Sequence, residues 1–528
     1  MLTVFAALFA WVSAGAETPA FDVARYEVTL RIEPEQRLVQ ESATLTITAR
    51  DAPLAKATFA LNELLQLASV ERDGADAPFE RGERIAEGRA IIVALDPPLE
   101  PGKSCKLSFE SGGQGLDPDA EGPDWMGILL VREDELRMSH QAQWYPIVPR
   151  DERARSKLAA PMTLALDLPA GWESLGPGEL AGIDKQKGRE VHRWSSTRPV
   201  QASILAGKFK AKTIKRGKLA VRVLSIPEHA TGAKVWGEQA LELLASLTEL
   251  YGKLDLATYG IGEMRVRNRS KSYNYEADGF SVYDGVLFDG RAPDKRKIGH
   301  EVAHLWFGGA VDATGPGERF LTEGLAEFAA WTALEASSGE GAAIAAASEG
   351  LTRYFGSPGD EQALAETDFG SARYVQVAYA KGAFAARTLR AWIGATNFSA
   401  GVAAYLAHAK EQGGAATLAD FVAALRAAGG TDVDAWADVD AWEEDWLRRS
   451  GAPRYSVQLT GERTGTLTQT GELYRNPVEL ELRFAGGKTQ TLTLRPTQLV
   501  QPWETEVSGK VVSVVIDPRV LVLFERAR

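Results

Sequence analysis

Histidine is scarce in this 528-residue chain, with six in all, yet two of them stand four apart in Ile298-Gly299-His300-Glu301-Val302-Ala303-His304. On a helix, residues four apart share a face, so both imidazoles can point at one ion. Glu301 sits beside the first of them, near the ion and not bound to it, where a carboxylate can take a proton from water. Zinc at a catalytic centre takes three protein ligands and keeps a fourth position open. Two histidines are therefore not enough. Glu323, in Phe320-Leu321-Thr322-Glu323-Gly324-Leu325-Ala326-Glu327-Phe328, follows His304 after 18 intervening residues. That gap allows a loop and a return onto a second helix beside the first, and His, His, Glu is a ligand set that catalytic zinc accepts. The chemistry such a set performs is hydrolysis of a peptide bond by an activated water. A metzincin is excluded, because its motif needs Gly at 307 and His at 310, where this chain has Phe307 and Ala310.

His300 to Gly309 followed by Phe320 to Phe328 resembles the gluzincin aminopeptidases, the family of aminopeptidase N and leukotriene hydrolase. The resemblance implies a large N-terminal β domain, a thermolysin-like catalytic domain and one zinc ion. It implies a proton donor in a Tyr-x-Lys-Gly segment, matched by Tyr379-Ala380-Lys381-Gly382. It also implies a Trp-x4-Gly-x-Pro junction before a β-sandwich, matched from Trp446 to Pro453. Residues 452–528 are not expected to supply the family's long C-terminal helical domain. Family exopeptidases carry Gly-x-Met-Glu-Asn upstream of the zinc helix, and its glutamate binds the free amino terminus of the substrate. Here the stretch reads Tyr273-Asn274-Tyr275-Glu276-Ala277-Asp278, so Glu276 matches while the glycine, methionine and asparagine do not. Tyr273 and Tyr275 are expected to crowd a groove edge that glycine leaves open. Gln141 resembles the family's substrate-contacting glutamine of the β domain.

The elements that must position these residues can be read from hydrophobic period. From Phe21 to about Lys212 it is two: Tyr26, Val28, Leu30 and Ile32 alternate with Glu27, Thr29 and Arg31, which predicts strands with one buried face. A strand is predicted at Leu219–Ile226. Helical spacing then sets in at 233–251, with Trp236, Ala240, Leu243, Leu244, Leu247 and Leu250 on one face, and continues to about Arg449. Beyond Pro453 strands return, with Gly486-Gly487 as a hairpin turn. The chain is thus expected to be a multidomain α+β protein: an all-β domain over 17–212, a mostly helical catalytic domain over 213–451 and a small antiparallel β-sandwich over 452–528.

Residues 1–16 have the apolar run and the small Ala14-Gly15-Ala16 triplet of a signal peptide, which predicts an exported protein. No later segment is apolar for the roughly 20 residues that a membrane span needs. A formal net charge of −12 disfavours a nucleic-acid surface. The single cysteine, Cys105, cannot form an internal disulfide and fits a core position. The expected partner is a peptide, and the expected activity is removal of N-terminal residues. Two other readings stay open: a zinc endopeptidase that ignores the free amino terminus, and a catalytically retired peptidase fold that binds a partner.

Overall fold

The computed structural model of the chain describes residues 20–527 apart from 87, 117–128, 150–158, 255, 266–273, 289–292 and 429–432. The leader proposed for residues 1–16 and Tyr273 lie outside the described residues.

The N-terminal part is β throughout. Strand Phe21–Glu33 buries Tyr26, Val28, Leu30 and Ile32 and turns the residues between them to solvent, as its alternation requires. It pairs antiparallel with Leu38–Ala49 and parallel with Ala160–Pro169, in the middle of an eight-stranded sheet. Cys105 is buried on the strand Ser104–Gln114.

Helix α1, Ala233–Tyr251, has the predicted bounds and buries the predicted face, with Leu250 half-buried. The strand before it closes one residue earlier than its pattern suggests, at Leu219–Ser225. The main departure lies next to it. The pattern predicts helices after this strand, yet a five-stranded sheet forms in the order Lys210–Arg216, Leu219–Ser225, Thr258–Met264, Phe280–Asp284 and Tyr275–Ala277. Glycines at 260 and 262 dilute the apolar signal of Thr258–Met264. They are there because side chains of the β part press on that strand. A methyl group at Gly260 would overlap the Phe280 side chain and stand 2.9 Å from Leu175, and one at Gly262 would overlap Leu205. Val221, Val223, Tyr259 and Ile261 on the other face join the core around α1. A sheet covered on both faces reads as near-continuous apolar sequence, with no clean alternation to identify it.

Four further helices surround the site: α2 (Lys295–Ala303), α3 (Leu325–Ser338), α4 (Glu340–Phe355) and α5 (Gly382–Ile393). Among the described residues no helix is long and apolar enough to cross a membrane. The C-terminal strands form a four-stranded and a three-stranded sheet. The hairpin Val478–Phe484 to Thr489–Leu494 turns at Gly486-Gly487 as expected. One pairing departs from the antiparallel expectation, since Glu525–Arg526 runs parallel to Arg454–Leu459. These sheets share one hydrophobic core with the helices.

A buried ionic knot anchors the junction that leads into these sheets. The Lys381 ammonium, fully enclosed, donates to Glu361 at 2.8 Å and to the Arg449 carbonyl at 2.7 Å. Glu361 also accepts from Gly451 N–H at 2.8 Å, from Arg373 at 2.9 Å and from the Tyr354 hydroxyl at 2.5 Å. Lys381→Met would leave this carboxylate buried with Arg373 as its remaining cation. A loss of about 3 kcal/mol is expected, to be read from the denaturant midpoint of the variant against the parent protein.

Candidate metal centre and substrate cleft

Helix α2 starts where Asp294 caps it, its side chain accepting from the backbone N–H of Arg296 at 3.0 Å and of Lys297 at 3.3 Å. It ends at His304 because the chain turns through Gly308, whose φ of 120° favours glycine. That turn brings the Phe307 carbonyl back to accept from His304 Nδ1 at 2.9 Å. His300 Nδ1 faces Glu327 Oε2 at 3.1 Å. A proton on His304 Nδ1 leaves its Nε2 with a lone pair, and the Glu327 carboxylate beside His300 Nδ1 favours the same tautomer there.

Those two Nε2 atoms stand 3.1 Å apart, and Glu323 Oε2 lies 3.4 Å from each. Glu323 Oε2 is buried and has no donor among the described residues. Groups of this kind facing one another repel unless a proton or a metal cation sits among them. A tetrahedral ion at about 2.0–2.1 Å from each ligand separates its ligand atoms by about 3.3 Å, close to the spacing found. His300, His304 and Glu323 therefore fit a zinc ion in number, donor type and distance. Electrostatics agree. Burial pulls the His300 imidazole down, but hydrogen bonds to Glu323 and Glu327 push it up to about 10. This buried, anion-rich pocket holds onto positive charge, and a divalent cation would compete with that proton.

Two π-helical turns place the other parts. Phe320–Gly324 carries Glu323, and Val375–Lys381 carries Tyr379. Such turns widen the helix by one residue and re-aim a side chain. They touch through glycine: a methyl on Gly324 would stand 3.0 Å from Gly382 Cα, and one on Gly382 would stand 2.8 Å from Gly324 Cα. The Tyr379 ring lies against His300, with centroids 5.2 Å apart and planes at 22°. Burial and the Glu323 charge keep its hydroxyl protonated far above the ordinary tyrosine range. Burial raises Glu301 above the usual carboxylate range, against the pull of His300 and His304.

The cleft is a cavity of about 1080 Å³ that brings together His300, Glu301, His304, Glu323, Tyr379 and Glu276, with Gln141 on its β-domain wall. Glu276, on the sheet-edge strand Tyr275–Ala277, is half-buried. Burial pushes its carboxyl up to about 8, against the pull of His304. Tyr275 lines the same cavity, as expected of a groove edge without glycine. Every predicted site residue thus lies on this one cavity.

The sequence reading gave Glu327 no role. One turn after Glu323 on the same helix, it accepts from Arg296 at 2.7 Å and from Trp331 Nε1 at 3.3 Å while it faces His300. Although burial opposes it, contacts with His300 and Arg296 hold Glu327 down to about 2. The available signal was a lone carboxylate within the apolar run Leu325-Ala326-Glu327-Phe328-Ala329-Ala330-Trp331. Glu327→Gln keeps the shape and removes the charge that fixes the His300 tautomer. Zinc affinity is expected to fall by about 10–100-fold, measured by competition with a chelator. Gly382→Ala should wedge the two π-helical turns apart and cost about 1–3 kcal/mol of stability, seen in thermal unfolding.

Comparison with known proteins agrees with this geometry. Residues 294–442 match the model of the Peptidase family M1 domain. No curated protein matches the chain. Among solved structures, an M1 zinc metallopeptidase from Deinococcus radiodurans superposes with a TM-score of 0.64 at 19% identity, over 81% of this chain and 94% of that one. A mutant of it bound to a Tyr-Ser-Ala substrate gives the same values. A two-domain M1 zinc metallopeptidase mutant bound to L-tryptophan matches with a TM-score of 0.64 at 20% identity, over 82% of this chain and 96% of that one. The α2–α3 centre thus falls within the residues that match the Peptidase family M1 domain model, and the chain around it has the fold of the M1 zinc metallopeptidases.

Proposed function

We propose that this chain is a zinc aminopeptidase, with His300, His304 and Glu323 as the metal ligands. The carrying observation is the set of three acceptors 3.1–3.4 Å apart, with Glu301, Tyr379 and Glu276 on the same cavity. A zinc ion bound there supplies Lewis acidity to the scissile carbonyl and to the attacking water. Glu301 takes the proton from that water and later hands it to the leaving nitrogen, a shuttle that its raised affinity for protons favours. The Tyr379 hydroxyl, held protonated, donates to the carbonyl oxygen as negative charge develops. Glu276 accepts from the ammonium of the substrate's first residue. Gln141, across the cleft, contacts the substrate from the β-domain wall. The substrate class is a peptide with a free amino terminus, in keeping with the Tyr-Ser-Ala bound to the Deinococcus radiodurans mutant. Residues 1–16, read as a signal peptide, make it an exported enzyme.

One observation favours a second reading. Tyr275 lines the cleft beside Glu276, where family exopeptidases keep a different segment. An endopeptidase would use the same centre and ignore the amine.

A peptide library in free and N-acetylated form separates the two. Loss of the first residue from free peptides alone is expected, and equal cleavage of acetylated peptides would replace the aminopeptidase with the endopeptidase. Glu301→Gln should keep its zinc and its fold while losing about 10²–10⁴-fold in turnover. Activity within tenfold of the parent would overturn the role of Glu301. Chelation should abolish turnover, and added zinc should restore it.

A further inference from the structure

The cations that line the cleft differ in whether they are already committed. Arg198 pairs with Asp278 at 2.6 Å, Arg296 with Glu327 at 2.7 Å and Arg319 with Glu318 at 2.8 Å. Lys253 and Lys410 are exposed, where water solvates them. Lys297 fits neither class. It is half-buried, it lines the cavity, and its ammonium has no carboxylate, carbonyl or hydroxyl partner among the described residues. A cation on a cleft wall that no acidic side chain neutralises is open to an anion that enters the cleft.

Its place along α2 gives that anion an address. Lys297 stands three residues before His300 and four before Glu301, so all three share one helical face. At 1.5 Å per residue it lies about 6 Å along the axis from Glu301 and about 10 Å from His304. Glu276 lies on the sheet edge packed beside α2 and lines the same cavity, within reach of the His304 charge. A peptide with its amine at Glu276 and its first carbonyl at the metal centre can lead its leaving side toward Lys297. Extended chain advances by about 3.3–3.6 Å per residue. The residue after the scissile bond thus comes within reach of the four-carbon lysine stem.

We propose that Lys297 is a specificity-determining residue that binds a carboxylate on the leaving side of the scissile bond. This inference rests on the aminopeptidase reading of the cleft. The carboxylate can be the side chain of an acidic second residue or the free terminus of a dipeptide. Both present the same group at nearly the same depth, and the ammonium meets it with a charge-assisted hydrogen bond.

The test uses the zinc-loaded full chain and peptides that share one first residue. One arm compares tripeptide amides with Asp or Glu against Asn or Gln at the second position. The other compares dipeptides with a free terminus against their amides. The parent protein should favour the carboxylate member of at least one arm by about tenfold in kcat/KM, mostly through KM, and the arm that responds names the source. Lys297→Met should bring that ratio close to one, Lys297→Arg should retain it, and Lys297→Glu should reverse it. A ratio near one in the parent in both arms, or one unchanged in Lys297→Met, overturns the proposal. Calorimetric binding of the same peptides to zinc-loaded Glu301→Ala protein reads the preference without turnover. A carboxylate preference in binding alongside no cleavage by the parent would overturn the peptidase reading and keep Lys297 as the carboxylate site. Equal affinities there would overturn Lys297 whatever the parent cleaves.

Discussion

Everything around the centre answers to one electrostatic constraint: two imidazole nitrogens and a carboxylate oxygen face one another at 3.1–3.4 Å and need a positive charge among them. Left alone, these groups repel, and the fold must hold them against that repulsion. It does so by close backbone packing. A methyl at Gly299 would stand only 3.2 Å from Ala330, so α2 lies tight against α3. The Gly324–Gly382 contact then brings the Tyr379 turn against the Glu323 turn. Rigid packing of this kind keeps the ligands from relaxing apart, and the gathered charge favours a cation.

What could be read in the sequence was whatever is local. The spacing of His300, Glu301 and His304 specifies one helical face by itself. The alternation in 21–33 and the apolar stripe of 233–251 specify a strand and a helix for the same reason. Glu323 was readable because its motif sits at a fixed loop length from the first. Less was readable where two distant segments define each other. Thr258–Met264 carries glycines because Leu175 and Leu205 occupy the space above them, and that information lies in the β part of the chain. The π-helical turns are likewise a tertiary outcome, since nothing in Val375–Lys381 marks the extra residue before it packs on Phe320–Gly324.

Glu327 and Lys297 show two ways in which a charged residue escapes a pattern reading. Glu327 hides in an apolar helix, where its cost is met by Arg296, Trp331 and His300 together. Lys297 looks like an ordinary solvated lysine near the start of a helix until the cavity wall is known. The segment around Glu276 escapes in a third way. Its resemblance to the family is partial, and only the placement of the sheet edge beside α2 puts that carboxylate on the same cavity as the metal ligands.

The knot of Lys381, Glu361, Arg449 and Gly451 fixes the junction just before the C-terminal strands. Arg387 and Thr388 of α5 reinforce it by donating to the carbonyls of Arg519, Val520 and Leu521. The last strands of the chain are therefore the structural floor of the segment that presents Tyr379. The helical part and the β-sandwich share one hydrophobic core, so the stability of each bears on the other. Strain in the carbonyls at 519–521 would be felt along α5, the helix that the tyrosine's turn runs into.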